Sequence, residues 1–234
     1  MKFNVTTIAA FASFATIGFS ACNGQPAAAG TNPTAAGNAQ ASPAAPSDAK
    51  ANDSELTLAL RYVSYVDGKG TPVVSKDQAT AMAAAVSKLY SVCHMQVRID
   101  DYVAANPADV KLAFSPSTMG ELDTVRNAWK DDKYLLVVNT GTWDHSGGLG
   151  ADGANAWTMM PGEGSSGAVL EAPVADNVNI VAHELGHYLN LDHVSDQSDL
   201  MNPVVYPDST TITADQCQTM RASAQDARKD ALRS

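Results

Sequence analysis

Hydrophobic and polar positions change rhythm several times along this chain, and each change predicts an element. Residues 55 to 66 alternate apolar and polar side chains and are rich in β-branched and aromatic types, which predicts a strand. Residues 77 to 92 are rich in alanine, with Met82, Val86, Leu89 and Tyr90 spaced for one face of a helix. Val97 to Val103 predicts a second strand, and a polar helix near 119 to 130 leads into it a third, Tyr134 to Asn139, apolar enough to be buried on both faces. Residues 146 to 167 are glycine-rich, with Ala156 to Met160 their only strand-like part. Ala168 to Pro173 predicts another short strand. A helix then runs from the N-cap candidate Asp176 to Leu189, and the capping box Thr213 to Gln216 opens a last helix over 214 to 231. There is no internal repeat.

The beginning of the chain follows neither rhythm. Lys2 and the apolar run Ile8 to Phe19, too short to span a bilayer comfortably, predict a signal peptide over 1–21. The run ends Phe19-Ser20-Ala21-Cys22, which resembles a bacterial lipoprotein cleavage box, with Cys22 the lipidated residue. Residues 22–53 are then the lipidated cysteine and a tether of Ala, Pro, Gly and small polar residues. Such a segment buries too little apolar surface to offset its ordering entropy. Some thirty residues of that kind reach on the order of 30 Å. The expected organisation is therefore a signal peptide, a tether and one folded domain over 54–234. The resemblance implies a protein exported to the cell envelope and held at the outer membrane by its N-terminal lipid, with Asn23 in place of the aspartate that retains such proteins at the inner membrane.

Charge narrows the partners. A net charge of −10 over 234 residues excludes a nucleic-acid phosphate backbone as the expected ligand and disfavours docking on anionic lipid. The expected state is a monomer with an acidic, solubilising surface. Two further cysteines, Cys93 and Cys217, would travel to an oxidising compartment, where they form either a disulfide or two buried small apolar side chains.

The chemistry is concentrated in residues 183 to 203. His183 and His187 stand four apart on the predicted helix, so both imidazoles reach one ion. Glu184 lies beside the first of them as a candidate general base. Asn190 stands where the helix must stop for His193 to fold back, and asparagine is second to glycine in accepting the left-handed conformation that ends a helix. Three histidines leave a fourth zinc position open, the arrangement of a catalytic site.

This pattern, His183-Glu-Leu-Gly-His187 with His193 six residues on and Met201 eight beyond it, resembles the metzincins and within them the matrixin and reprolysin branches. The resemblance implies an α+β fold: a twisted mixed sheet of about five strands, an active-site helix, a Met-turn and a C-terminal helix. It implies one catalytic zinc on His183, His187 and His193, Glu184 as proton carrier, and Met201 as an apolar floor beneath the ligands. A protein or peptide substrate would pair along residues 155 to 160, with the loop 203 to 210 walling the pocket beyond the cleaved bond. The resemblance also allows a structural calcium near Asp144 and Asp152, although acidic glycine-rich loops are commonly solvated turns. Three features depart from the family pattern: Asn190 replaces a glycine, Pro203 stands where some branches have a tyrosine, and residues 23 to 53 hold no latency cysteine. His94 and His145 read as ordinary surface or core histidines, Trp143 and Trp157 as packing residues. Two other readings share the ligands: an envelope binding or adhesion module with a structural zinc, and a zinc amidase acting on cell-wall peptides.

Overall fold

The computed structural model describes residues 19–20, 54–151 and 153–234. The proposed lipidation site Cys22, the tether and Asp152 lie outside them. Six strands form the main sheet: β2 (Leu56–Tyr65), β3 (Met95–Ala105), β4 (Leu135–Asn139), β5 (Ala156–Thr158), β6 (Ala168–Leu170) and β8 (Leu232–Arg233). Their order is β3-β2-β4-β6-β5, with β8 paired to the start of β2. The four strands from β3 to β6 run parallel, whereas β5 is antiparallel to β6 and forms an edge. Parallel strands need crossovers, and helices α1 (Lys76–Tyr90) and α2 (Met119–Trp129) supply two of them. Strand β4 is buried at every position, as its unbroken apolar run requires of a central parallel strand. A separate two-stranded pair joins β1 (Phe19–Ser20) antiparallel to β7 (Val204–Val205).

Helix starts are encoded locally. Ser75 with Gln78, Thr118 with Glu121 and Thr213 with Gln216 each form a capping box, at the starts of α1, α2 and α4 (Ala214–Gln225) respectively. The helix carrying the histidines, α3 (Val178–Tyr188), is capped by Asn177, whose side chain accepts from the amides of Asn179 and Ile180. The cap thus sits one residue beyond the expected Asp176, and the 3-10 turn Ala172–Val174 takes residues that the sequence suggested as strand.

Helix α4 ends at Gln225, not near 231. Tertiary contacts decide this. Arg228 leaves the helical path to donate to the Tyr188 carbonyl at 3.3 Å and to lie over the Tyr188 ring at 4.4 Å, and the chain then extends to pair Leu232 with Leu58. At its other end α4 is tied down covalently, since Cys217 is bonded to Cys93 across 124 residues of sequence. Arg221 reinforces that junction by donating to the carbonyls of Cys93 and His94.

Candidate metal centre

Helix α3 packs against both the sheet and α1. Tyr90 of α1 donates its hydroxyl to the Ala182 carbonyl at 2.6 Å, one residue before the first histidine. His183 and Glu184 are wholly buried, and His187 nearly so. After Tyr188 the helix closes in a Schellman arrangement: the amide of Leu191 reaches the carbonyl of Gly186, and the amide of Asn190 reaches that of His187. Asn190 has φ of 71°, the left-handed conformation that its position in the sequence implies.

That turn has two effects. It redirects the chain so that His193 comes up to the helix, and it aims the Leu191 carbonyl at Nδ1 of His187, 2.7 Å away. His183 has the same kind of partner: its Nδ1 lies 2.7 Å from the carbonyl of Leu200. A carbonyl only accepts, so both rings carry their proton on Nδ1 and present a lone pair at Nε2. Hydrogen bonding of the outer nitrogen is what fixes the tautomer of a metal-binding histidine.

The three Nε2 atoms converge. His187 lies 3.1 Å from both His183 and His193, and His193 lies 3.3 Å from His183. A tetrahedral zinc with bonds of about 2.0 Å sets its ligand atoms about 3.3 Å apart, so the triad has the spacing of one zinc. Among the described residues it is also the one group of three or more such side chains close enough to share an ion. Burial holds the rings neutral. It pushes His183 well below its ordinary value, helped by neighbouring His187, and it pushes His187 down to about 4, helped by His193. Burial also lowers His193, against the opposing charge of Asp192. Neutral rings with directed lone pairs fit a zinc site.

Met201 is fully buried. Asp199 shapes the turn that brings it there: its carboxylate accepts from the Met201 amide at 2.7 Å and from Gln216 of α4 at 2.9 Å. Gly186 is the counterpart on the helix. A Cβ built there would lie 2.5 Å from the Met201 sulfur, so any larger residue would force the Met201 side chain to shift. Neither Gly186 nor Asp199 belongs to the ligand pattern visible in the sequence. An aspartate two residues before Met201 was a legible turn signal, while the crowding at 186 exists only across the packed interface.

The other candidates are placed apart from this cluster. His94 is exposed, and His145 points Nδ1 at the Leu149 carbonyl at 2.7 Å. Asp144 accepts from the Ser146 amide as the cap of a short 3-10 turn. Trp143 is buried and donates to Thr140, and Trp157 is half-buried on β5.

Comparison with known proteins places this geometry in context. The family model described as Matrixin matches residues 59–222. No curated protein matches. Among solved structures, metalloproteinase-II from Bacteroides fragilis is similar over 74% of this chain at 18% identity, with a TM-score of 0.49. The chain spans 55% of that protein's length. Mature mirolysin of Tannerella forsythia, in complex with a cleaved peptide, is similar over 77% of this chain and 99% of its own, with 11% identity and a TM-score of 0.54. Promirolysin of the same organism gives 76%, 84%, 11% and 0.55. At such identities the likeness is one of fold.

Proposed function

The chain belongs to the matrixin family of zinc metallopeptidases, and on that footing we propose that it is an endopeptidase in which Glu184 carries the proton. The observation that carries this reading is the convergence of three Nε2 atoms within 3.1–3.3 Å beside a buried glutamate. His183, His187 and His193 would hold the zinc. When bound, the ion supplies a Lewis-acidic centre that acidifies a water and polarises the scissile carbonyl.

Glu184 then accepts a proton from the attacking water as its oxygen bonds to the carbonyl carbon. It returns that proton to the amide nitrogen as the carbon–nitrogen bond breaks. Burial suits the carboxylate to this task, since a proton held away from bulk water is delivered to the substrate and not lost to it. The edge strand β5 offers the substrate an extended backbone partner. The reading extends to location: signal peptide removal after residue 21, lipidation of Cys22, and a tether over 23–53 that holds the domain off the outer membrane of the cell envelope, as a monomer.

The test is direct. The purified chain binds about one zinc, and Glu184→Ala retains the zinc while its peptide cleavage falls by at least about a hundredfold, the usual contribution of a proton carrier. Undiminished cleavage by that variant would defeat the mechanism. A zinc-loaded wild type that cleaves no peptide in a broad library would favour a structural zinc.

A further inference from the structure

We propose that Arg126 is a positioning residue for the substrate, because its buried guanidinium fixes the edge strand β5 on which a peptide would pair. This rests on the peptide-cleaving reading above. Arg126 lies on α2, fully buried, and the chemistry at the metal centre makes no use of it. A buried charge is a poor source of stability, since an apolar replacement of similar volume is often neutral or stabilising. What a guanidinium offers is direction: a planar fork of donors that engages several acceptors at fixed angles.

Here the fork spans the two arms of one hairpin. Nη2 donates to the Trp157 carbonyl in the middle of β5 at 2.8 Å. Nε donates to the Gly167 carbonyl, one residue before β6, also at 2.8 Å. Nη1 reaches back 3.0 Å to Asp123, one turn earlier on α2, whose carboxylate is half exposed. Bonds from a charged donor are the stronger kind, and these two set where β5 lies relative to α2. The hairpin has little else to hold it. Its strands are three residues each, and the connecting residues 159–167 include Gly162, Gly164 and Gly167, all with positive φ.

Arg126 grips β5 from the side of the sheet. The Asn155 carbonyl accepts from the Glu171 amide and so faces β6. Carbonyl directions alternate along a strand, so that of Trp157 faces the same way. Those of Ala156 and Thr158 face outward, where β5 ends the sheet. The arginine therefore places the strand without occupying the backbone groups that would meet a peptide. Its neighbour Asn127 holds a different part of the loop, accepting from the Ser165 hydroxyl at 2.6 Å.

Arg126→Met and Arg126→Lys in the full chain test this, with Asn127→Ala as the control for the loop tip. Each is compared with wild type by circular dichroism, by zinc content, and by kcat and KM on a peptide that wild type cleaves. The same peptide is also used with each backbone amide flanking the cleaved bond N-methylated in turn, which removes the hydrogen that strand pairing needs. In Arg126→Met, KM rises about five- to tenfold, roughly the net contribution of one hydrogen bond. Its kcat stays within about twofold, as expected when binding and not the reacting geometry is altered, and zinc content is unchanged. Arg126→Lys, which keeps the charge but not the fork, lies between the two. Methylation of the amides that pair with β5 raises KM in wild type and raises it less in Arg126→Met, where the pairing is already loosened. A role in stability alone would not produce that coupling. Asn127→Ala behaves as wild type.

An unchanged KM, or methylation penalties equal in wild type and variant, overturns the proposal. So does a joint fall of kcat and zinc content, which would make Arg126 a support of the fold, or an equal effect of Asn127→Ala. If neither arginine variant folds, Asp123→Ala, at the half-exposed end of the fork, decides by the same criteria. A wild type that cleaves no peptide defeats the peptide-cleaving reading and this proposal with it. Cleavage by wild type with undiminished penalties in the variants defeats the proposal alone.

Discussion

Gly186 shows how a residue without a side chain can govern a metal centre. It lies between Leu185 and His187 on the helix that carries two histidines of the candidate metal centre, and the Met201 sulfur occupies the space its Cβ would need. Met201 is fully buried, so it has no solvent to retreat into. Gly186→Ala gains helix propensity but overpacks this contact, and overpacking of a filled core costs about 1–3 kcal/mol. The expected outcome is a lower thermal midpoint together with weaker zinc retention, because the Leu200 carbonyl that orients His183 moves with the Met201 turn. Calorimetry and zinc titration check both; a variant as stable and as zinc-avid as wild type would show that the turn has slack. Glu184, by contrast, is a candidate that its place in the motif and its residue type alone suggest.

At the scale of the element, the end of α3 links backbone conformation to ligand geometry. Asn190 in the left-handed region sends the Leu191 carbonyl to His187 and the chain onward to His193. A left-handed residue with a Cβ costs about 1–2 kcal/mol, which asparagine reduces and glycine removes. Asn190→Ala is therefore expected to lose about 1 kcal/mol in denaturant unfolding, while Asn190→Gly matches or exceeds wild type. Equal midpoints for Ala and Asn would show that the turn is held by its surroundings. The capping boxes of α1, α2 and α4 were readable in the same local way, since a Ser or Thr and a Gln or Glu three residues on satisfy each other's backbone partners. The end of α4 was not. Nothing near Gln225 in sequence stops a helix, and the stop comes from Tyr188 and Leu58, which draw Arg228 and Leu232 away.

At the scale of the whole molecule, the disulfide closes a long loop. Cys93 lies in the 3-10 turn that follows α1 and Cys217 lies in α4, so one bond joins the exit of α1 to α4 across 124 residues. Cross-linking a loop of that length removes about 5 kcal/mol of chain entropy from the unfolded state, and native proteins commonly realise about 2–4 kcal/mol. Reduction, or the pair Cys93→Ser with Cys217→Ser, should lower the unfolding midpoint accordingly, with the loss appearing in both treatments. No change on reduction would remove the bond from the stability of the domain. Export is the natural context for such a bond. The proposed anchor is tested by metabolic labelling with a radiolabelled fatty acid: the full chain should take up label in a bacterial host and Cys22→Ser should not, and label persisting in the variant would end the lipoprotein reading. Among the described residues no helix is long and apolar enough to cross a membrane.

The sequence by itself determined the metallopeptidase character of the chain and the kinds of elements, because both follow from residue type at short spacing. Two histidines four apart share a helix face, an asparagine two residues past a helix permits the turn to a third, and alternation or unbroken apolar runs make strands. Tertiary structure alone decided which carbonyls set the histidine tautomers, that the Met201 side chain crowds residue 186, where α4 ends, and that Cys93 meets Cys217. Each of these depends on groups far apart in sequence coming within a few ångströms. Local propensity is blind to such approaches, and only the packing of sheet, helices and the Met201 turn brings them about.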